Sequence, residues 1–183
     1  MGGNFWKQHV LGGSKSAPPQ LNASIYPFLF LEKGVGATIG METGHFQFGL
    51  IGFSVKPPEF IVSTFFGDTD GIAIPQNKAV EAYVKYYLRE DRKWAYVGVI
   101  GGPEWFQIED KLTNITETIS RTYAVPVVGL RWLPFNKYFF ADASFGYSLN
   151  LGSSDQRELG NTSYTVSSGG MIYFLELGAR IGF

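Results

Sequence analysis

The sequence has no cysteine and only two histidines among its 183 residues. The absence of thiols excludes a disulfide scaffold and thiolate chemistry. Lys and Arg number 15 against 16 Asp and Glu, and the resulting net charge of -1 gives no electrostatic basis for binding nucleic acid. No uninterrupted apolar run reaches the roughly 18 residues that a membrane-spanning helix requires. Helical membrane proteins, nucleic-acid binders and disulfide-rich modules are therefore excluded.

The sequence does contain a C-terminal segment with a period of two. One alternate set is apolar throughout, and the other carries a carboxylate, a guanidinium and small residues. This period indicates a β-strand with two chemically different faces. The apolar set is Met171, Tyr173, Leu175, Leu177, Ala179, Ile181 and Phe183, and the other set is Ile172, Phe174, Glu176, Gly178, Arg180 and Gly182.

Seven further strand-like runs precede the terminal one, so the pattern predicts eight strands. The connections between them alternate between short turns and long segments, except for a short turn at Lys33. The predicted runs are Leu21–Glu32, Val35–Glu42, His45–Val55, Lys78–Arg89, Lys93–Phe106, Thr118–Leu133 and Lys137–Asn150. Short turns lie at Thr43, Asp91 and Pro134, and long segments follow Val55, Phe106 and Asn150.

The two faces of these strands differ in charge. The alternate residues that form one face are nearly uncharged, and those that form the other face include acids, bases and many glycines. A soluble, lipocalin-like barrel would turn the charged face outward, whereas a membrane barrel would turn it inward. Small residues such as Ala82 and Ala124 on the uncharged face would fill a soluble interior poorly, which favours the membrane barrel. We expect ion pairs in a filled lumen among Glu42, Glu81, Lys85, Arg89, Arg121, Arg131, Asp142, Glu176 and Arg180.

The alternating strands and the terminal aromatic Phe183 resemble the small bacterial outer-membrane β-barrels of the OmpA/OmpX type. The resemblance implies an all-β fold, an eight-stranded antiparallel transmembrane barrel with up-and-down meander topology, over residues 20–183. It also implies a location in the outer membrane of a Gram-negative bacterium, in contact with the lipid bilayer and lipopolysaccharide. The mostly polar residues 1–19 are expected to form an N-terminal periplasmic tail.

Candidate catalytic and metal-binding patterns are sparse. The two histidines, His9 and His45, lie in the tail and beside a turn, and neither is placed with a serine in a hydrolase-like pattern. The run 68–71 resembles the start of a calcium loop, but the twelfth position from Asp68 is Ala79, which provides no side-chain ligand. We therefore predict no catalytic residue, no cofactor site and no metal site.

Two irregular segments suggest contacts outside the barrel wall. The segment 56–77 is unusually apolar for a surface loop, which indicates either a partner surface or an extension of the wall. Its partner-surface candidates are Phe60, Ile61, Val62, Phe65 and Phe66. Pro103, inside the fifth strand-like run, indicates either a bulge at the membrane rim or a lateral opening to lipid.

These features favour a non-enzymatic protein with a structural or interaction role, such as an accessory subunit of an envelope assembly that binds a protein partner through the loop 56–77. One alternative is a narrow channel or transporter for small solutes. A second alternative is a lipid-modifying outer-membrane enzyme with an unfamiliar site.

Overall fold

The computed structural model of the protein describes residues 18–58, 62–63, 66, 71–134, 138–152, 156–166 and 169–182. Eight strands form a closed antiparallel barrel in which each strand pairs with its neighbours along the chain. The predicted eight-stranded meander is confirmed. The wall strands are β1 (Gln20–Ile25), β2 (Val35–Thr43), β3 (Phe46–Val55), β4 (Ile72–Tyr87), β5 (Trp94–Asp110), β6 (Thr116–Trp132), β7 (Phe139–Asn150) and β10 (Gly169–Gly182). The strands β8 (Gln156–Leu159) and β9 (Thr162–Thr165) form a separate hairpin.

Both ends of the barrel chain lie at one end of the barrel, since Gln20 pairs with Gly182. We call this the inner end, because short periplasmic turns and chain ends share one side of outer-membrane barrels. The opposite, outer end carries the longer connections, except for the short turn 111–115 between β5 and β6. Residues 1–17 of the predicted tail lie outside the described residues. Within the described part of the chain, no helix is long and apolar enough to cross a membrane.

The barrel exterior is apolar and its interior is charged. On β6, Val128, Leu130 and Trp132 are exposed, while Arg131 is 2% exposed. On β7, Phe145 is half exposed and Asp142 is buried. This arrangement is the opposite of a soluble barrel and matches outer-membrane barrels. The chain is therefore an integral outer-membrane β-barrel whose outer surface contacts lipid.

The first wall strand is shorter than predicted. We expected a strand over Leu21–Glu32, but β1 ends at Ile25 and a short helix, α1 (Pro27–Leu31), follows. Proline has no N–H for a strand ladder, whereas its fixed φ suits the first turn of a helix. The Tyr26 N–H donates to the Gly36 oxygen at 3.2 Å, and the Gly34 N–H donates to the Leu29 oxygen at 2.7 Å.

The middle strands are longer than predicted. β4 begins at Ile72 rather than Lys78, and β5 continues to Asp110 rather than ending near Phe106. The long segment expected after Phe106 is therefore mostly strand, and β5 and β6 are joined by the short turn 111–115. Pro103 is part of this wall, since it pairs in register with Thr122 on β6.

The extended strands carry the barrel beyond its apolar band. On the outer part of β6 the exposed positions are Thr116, Thr118 and Ser120, in place of the apolar residues nearer the inner end. We call this projecting region, together with the β8–β9 hairpin and residues 62–63 and 66, the crown. Because its outward positions are polar, the crown lies outside the hydrocarbon of the membrane.

Candidate functional site

The inner half of the lumen is organised around Arg131. Its Nε and Nη2 donate to the two carboxylate oxygens of Asp142 at 2.6 and 2.8 Å. Its Nη1 donates to Glu42 Oε1 at 2.7 Å, and Nη2 also donates to Gln47 Oε1 at 2.8 Å. Arg131 and Asp142 are directly opposite on β6 and β7, so strand register places the two charges together. The guanidinium thus joins both sides of the lumen through a bidentate pair.

Lys85 bridges two carboxylates on neighbouring strands. Asp142 on β7 and Glu176 on β10 are direct cross-strand partners, so their like charges are close together. The Lys85 ammonium donates to Asp142 Oδ2 at 2.9 Å and to Glu176 Oε2 at 2.7 Å. Ser24 also donates to Glu176, at 2.6 Å. The lysine therefore offsets a repulsion that the strand register imposes.

Glu42 binds three guanidinium groups. Besides Arg131, its oxygens accept from Arg92 Nε at 2.8 Å and from Arg180 Nη1 at 3.2 Å. Arg92 comes from the β4–β5 turn, where it has a φ of 53°, and the residue is completely buried. We did not predict Arg92 from the sequence, because residues in turns have no strand parity to indicate their facing.

The inner cluster consists of Glu42, Lys85, Arg92, Arg131, Asp142, Glu176 and Arg180. All of its members are buried. An eight-stranded barrel is just wide enough for side chains to fill its interior. The inner cluster therefore closes the lumen with paired charges.

A second polar group lies in the outer half of the lumen. Glu104 on β5 accepts from Arg121 Nε and from Asn77 Nδ2, both at 2.7 Å. Glu81 on β4 accepts a hydrogen bond from the Tyr123 hydroxyl. No Lys or Arg of the described residues lies within ion-pair distance of Glu81, so its carboxyl is buried without a cation.

The structure places most of the predicted lumen residues inside the barrel. Glu42, Glu81, Lys85, Arg121, Arg131, Asp142, Glu176 and Arg180 are all buried on the interior face. Arg89 differs from the expectation, because it lies in the β4–β5 turn and pairs with Asp91 at 2.9 Å, outside the lumen. The strand parity that we extended to Arg89 ends where β4 ends, at Tyr87.

The apolar loop residues that the structure describes are not exposed. Val62 and Phe66 pack in a cluster inside the crown, which contradicts our expectation that they form an exposed partner surface. The Phe66 ring meets the Phe106 ring edge-on, with centroids 5.1 Å apart. Phe60, Ile61 and Phe65 lie outside the described residues. The other members of the cluster are Ile72, Ile74, Phe106, Ile108, Ile119, Leu159, Tyr164 and Val166.

Asp110 joins two turns at the top of the crown. Its Oδ1 accepts the N–H groups of Leu112 and Thr113 at 2.8 and 2.9 Å, and its Oδ2 accepts the N–H of Asn161 at 3.0 Å. The hydrogen bond from the Thr113 backbone, followed by those from Leu112 and Asn161, lowers the Asp110 pKa to about 2. The carboxylate thereby fixes the 111–115 turn against the β8–β9 hairpin.

The described residues contain no group of three or more His, Cys, Asp or Glu side chains able to hold a metal ion. His45 has a structural environment, since its Nδ1 lies 2.8 Å from the Tyr87 carbonyl oxygen and its ring stacks on Tyr86. The ionisable groups of the lumen are instead engaged mainly with one another.

Comparisons with known proteins found similar solved structures. No protein-family model matches the chain, and no curated protein matches it. The N-terminal β-barrel domain of Pseudomonas aeruginosa OprF is 15% identical and superimposes with a TM-score of 0.46, over 89% of this chain and 96% of that one. Ail, the attachment invasion locus protein of Yersinia pestis, is 14% identical with a TM-score of 0.44, over 90% and 99% of the two chains. A second Ail structure, in complex with the heparin analogue sucrose octasulfate, is 15% identical with a TM-score of 0.39, over 90% and 97%. The strand order of this chain, its apolar exterior and its charged interior identify it as an outer-membrane barrel.

Proposed function

We propose that the protein is a non-conducting, non-enzymatic outer-membrane barrel that holds the crown outside the membrane as a surface for contact with another envelope component. Such a protein has a structural or interaction role and acts as an accessory subunit of a larger assembly. The single observation that carries the proposal is the inner cluster. A closed lumen leaves the crown as the part of the molecule available for specific contacts.

The inner cluster supports the absence of conduction. Its charges are paired across the full width of the lumen, from Glu42 on β2 to Asp142 on β7. Moving an ion through this region would require breaking buried pairs, and breaking a buried pair by removing one partner costs roughly 3–5 kcal/mol. The charge distribution therefore favours a plug over the narrow channel that is the alternative.

The crown supports the role in contact. Leu112 is 78% exposed and Ile115 is about half exposed, although both lie on the short turn that Asp110 fixes in place. Exposed apolar residues on an ordered surface outside the membrane are typical of interaction sites. A fixed turn also loses little conformational entropy when a partner binds.

Conduction is tested with the purified protein in planar lipid bilayers. We expect no discrete current steps from the wild type, and we expect Arg131→Ala to introduce a leak because it opens the centre of the inner cluster. Arg157→Ala is the matched control, since Arg157 lies on the exposed hairpin. Reproducible solute-selective currents from the wild type would contradict the proposal and favour the channel.

Assembly is tested by native electrophoresis of membranes solubilised in mild detergent. We expect the wild type to migrate in a complex larger than the monomer, and we expect Leu112→Ser combined with Ile115→Ser to release the monomer. Gln156→Ser, an exposed polar change on the same crown, is the control. A wild type that migrates as a monomer would contradict the accessory role.

A further inference from the structure

The barrel wall is interrupted between β1 and β10 in the outer half of the membrane. β1 pairs with β10 only as far as Ile25 opposite Leu177. On its other edge, β10 continues to Gly169, which pairs with Leu149 of β7. Helix α1 lies beside the part of β10 that β1 leaves uncovered.

Helix α1 is attached firmly on one side only. The hydrogen bonds of Tyr26 and Gly34 tie it to the beginning of β2. Against β10 the contact is apolar, with the Tyr26 and Phe174 ring centroids 6.3 Å apart. Among the described residues, no hydrogen bond joins α1 to β10. The seam between α1 and β10 is therefore a stretch of the described wall that apolar contacts, and not a backbone ladder, hold together.

A cavity of about 140 Å³ lies behind this seam. Its outer lining is largely apolar and includes Phe28 and Tyr173, both of which are more than half exposed on the lipid-facing surface, together with the half-buried Glu32. Its inner lining is polar and buried, and it is formed by Asn77, Glu81, Glu104, Arg121 and Ser148. The cavity thus connects the membrane surface to the outer polar group of the lumen.

The polar end of the cavity lacks partners. Asn77 Oδ1 and Ser148 Oγ are buried and have no hydrogen-bond partner among the described residues. The Glu81 carboxyl has the Tyr123 hydroxyl beside it, and no Lys or Arg in the described part of the chain lies within ion-pair distance of it. The two carboxylates and one guanidinium at this end leave an excess of one negative charge when all are ionised. Buried groups of this kind are normally paired, so the cavity favours a ligand that brings a positive charge and hydrogen-bond donors.

We propose that this cavity binds the head group of a single-chain amphiphile that carries a primary amine and enters from the outer leaflet between α1 and β10. The ammonium group pairs with Glu81 and donates to Asn77 Oδ1 and Ser148 Oγ. A cavity of about 150 Å³ holds one benzene molecule, so this one accommodates the head group and the first carbons of the chain. The remainder of the chain lies along Phe28 and Tyr173 and continues into the lipid. This binding site is independent of the proposed structural role of the crown.

The binding is tested with the full chain in phosphatidylcholine nanodiscs. The probe is a long-chain primary amine that carries a diazirine near its head group, and labelled peptides are identified by mass spectrometry. We expect saturable labelling of the segments 26–32 and 172–175. Dodecylamine should compete at least about tenfold better than dodecanol or dodecanoate, because neither of those head groups can form an ion pair with Glu81.

Two variants separate the cavity from general lipid contact. Ile172→Trp fills the cavity and should abolish saturable labelling, whereas Leu130→Trp makes a comparable change on the lipid face of β6 and should leave it intact. Glu81→Gln should remove the preference for the amine over the alcohol. Heat-dependent gel mobility shows that each variant is folded.

Three results would overturn the proposal. Labelling spread evenly over the lipid-facing strands would show annular contact only. If dodecanol competed as well as dodecylamine, or if dodecanoate competed better, the ion pair between the ammonium group and Glu81 would be excluded. This comparison uses the wild type alone and needs no variant. Unsaturable labelling of the wild type would show that the cavity holds only water.

Discussion

Arg131 and Asp142 face each other across the β6–β7 ladder and are joined by two parallel hydrogen bonds of 2.6 and 2.8 Å. The same guanidinium reaches Glu42 on the far side of the lumen. A side chain that binds both walls of a small barrel holds the barrel cross-section as well as closing the pore.

The first prediction concerns Arg131. Arg131→Met leaves Glu42 and Asp142 without their shared cation in a buried site, and we expect a loss of roughly 3–5 kcal/mol in the free energy of unfolding. The change is measured by unfolding the barrel in detergent with urea, and the unfolding is monitored by tryptophan fluorescence.

Arg157→Met is the control for this measurement. Arg157 is exposed and lies 3.9 Å from Glu117, so its loss should change the free energy of unfolding by no more than about 1 kcal/mol. Equal effects of the two substitutions would show that the inner cluster contributes no more than a surface ion pair.

The second prediction concerns the repulsion that Lys85 offsets. Lys85→Met leaves Asp142 and Glu176 as opposed carboxylates and should lower the free energy of unfolding by roughly 3 kcal/mol or more. Adding Glu176→Gln removes one of the two like charges, so the double variant should recover a large part of that loss. The double-mutant cycle is measured by the same unfolding experiment, and additive losses would argue against coupling between the two residues.

The third prediction concerns the pH dependence of the crown. The Asp110 pKa is about 2 in the folded protein, below the value of about 3.9 for an unperturbed aspartate. The stabilisation is therefore present above about pH 4 and is lost as the pH falls through about 2. The protection factors of the amides in the 111–115 turn, which compare measured with intrinsic exchange at the same pH, should be high at pH 4 and fall towards pH 2.

Asp110→Asn tests the same point at neutral pH, where it should speed exchange of the turn by removing the charged acceptor. Glu109→Gln, a neutralised carboxylate one position earlier on β5, is the matched control and should have little effect. A turn whose exchange is unchanged in Asp110→Asn would contradict the role of Asp110.

The fourth prediction concerns the turn of the β8–β9 hairpin. Gly160 has a φ of +59°, and a Cβ atom there would lie 2.6 Å from Asp110 Oδ2. Gly160→Ala should therefore destabilise the hairpin by roughly 1–3 kcal/mol, because it strains the backbone and displaces the Asp110 carboxylate. Limited proteolysis of residues 151–168 measures the effect.

Gly152→Ala is the matched control for the hairpin, because its Cβ atom would come no closer than 3.5 Å to Asn150 Oδ1. It should leave the rate of proteolysis unchanged. If both substitutions increased cleavage equally, the Asp110 contact would not be the cause.

The interior positions followed from the sequence wherever a strand was regular. Period-two alternation assigns each residue to one face, and the charge difference between the faces assigns the charged one to the lumen. Glu42, Lys85 and Arg131 were found in this way. The same reasoning failed at Arg89 and missed Arg92, since a turn has no alternation to follow.

The outer end of the barrel was less predictable. Alternation does not reveal that β1 ends early, before Pro27. It also does not reveal that β4 and β5 extend into the crown, because a local sequence pattern does not show which strand pairs with a given segment. The apolar loop residues Val62 and Phe66 were recognised as unusual, but their burial depends on β4, β5 and the hairpin meeting above the membrane.

The sequence by itself determined the eight wall strands, the lipid-facing and lumen-facing sides and the net charge of -1. These properties depend on neighbours along the chain and on composition. Only the tertiary structure decided which acid pairs with which base, where Arg92 points, and that a seam lies between α1 and β10. Those outcomes depend on strand register and on closure of the barrel, which bring together residues such as Glu42 and Arg131 that lie far apart in the sequence.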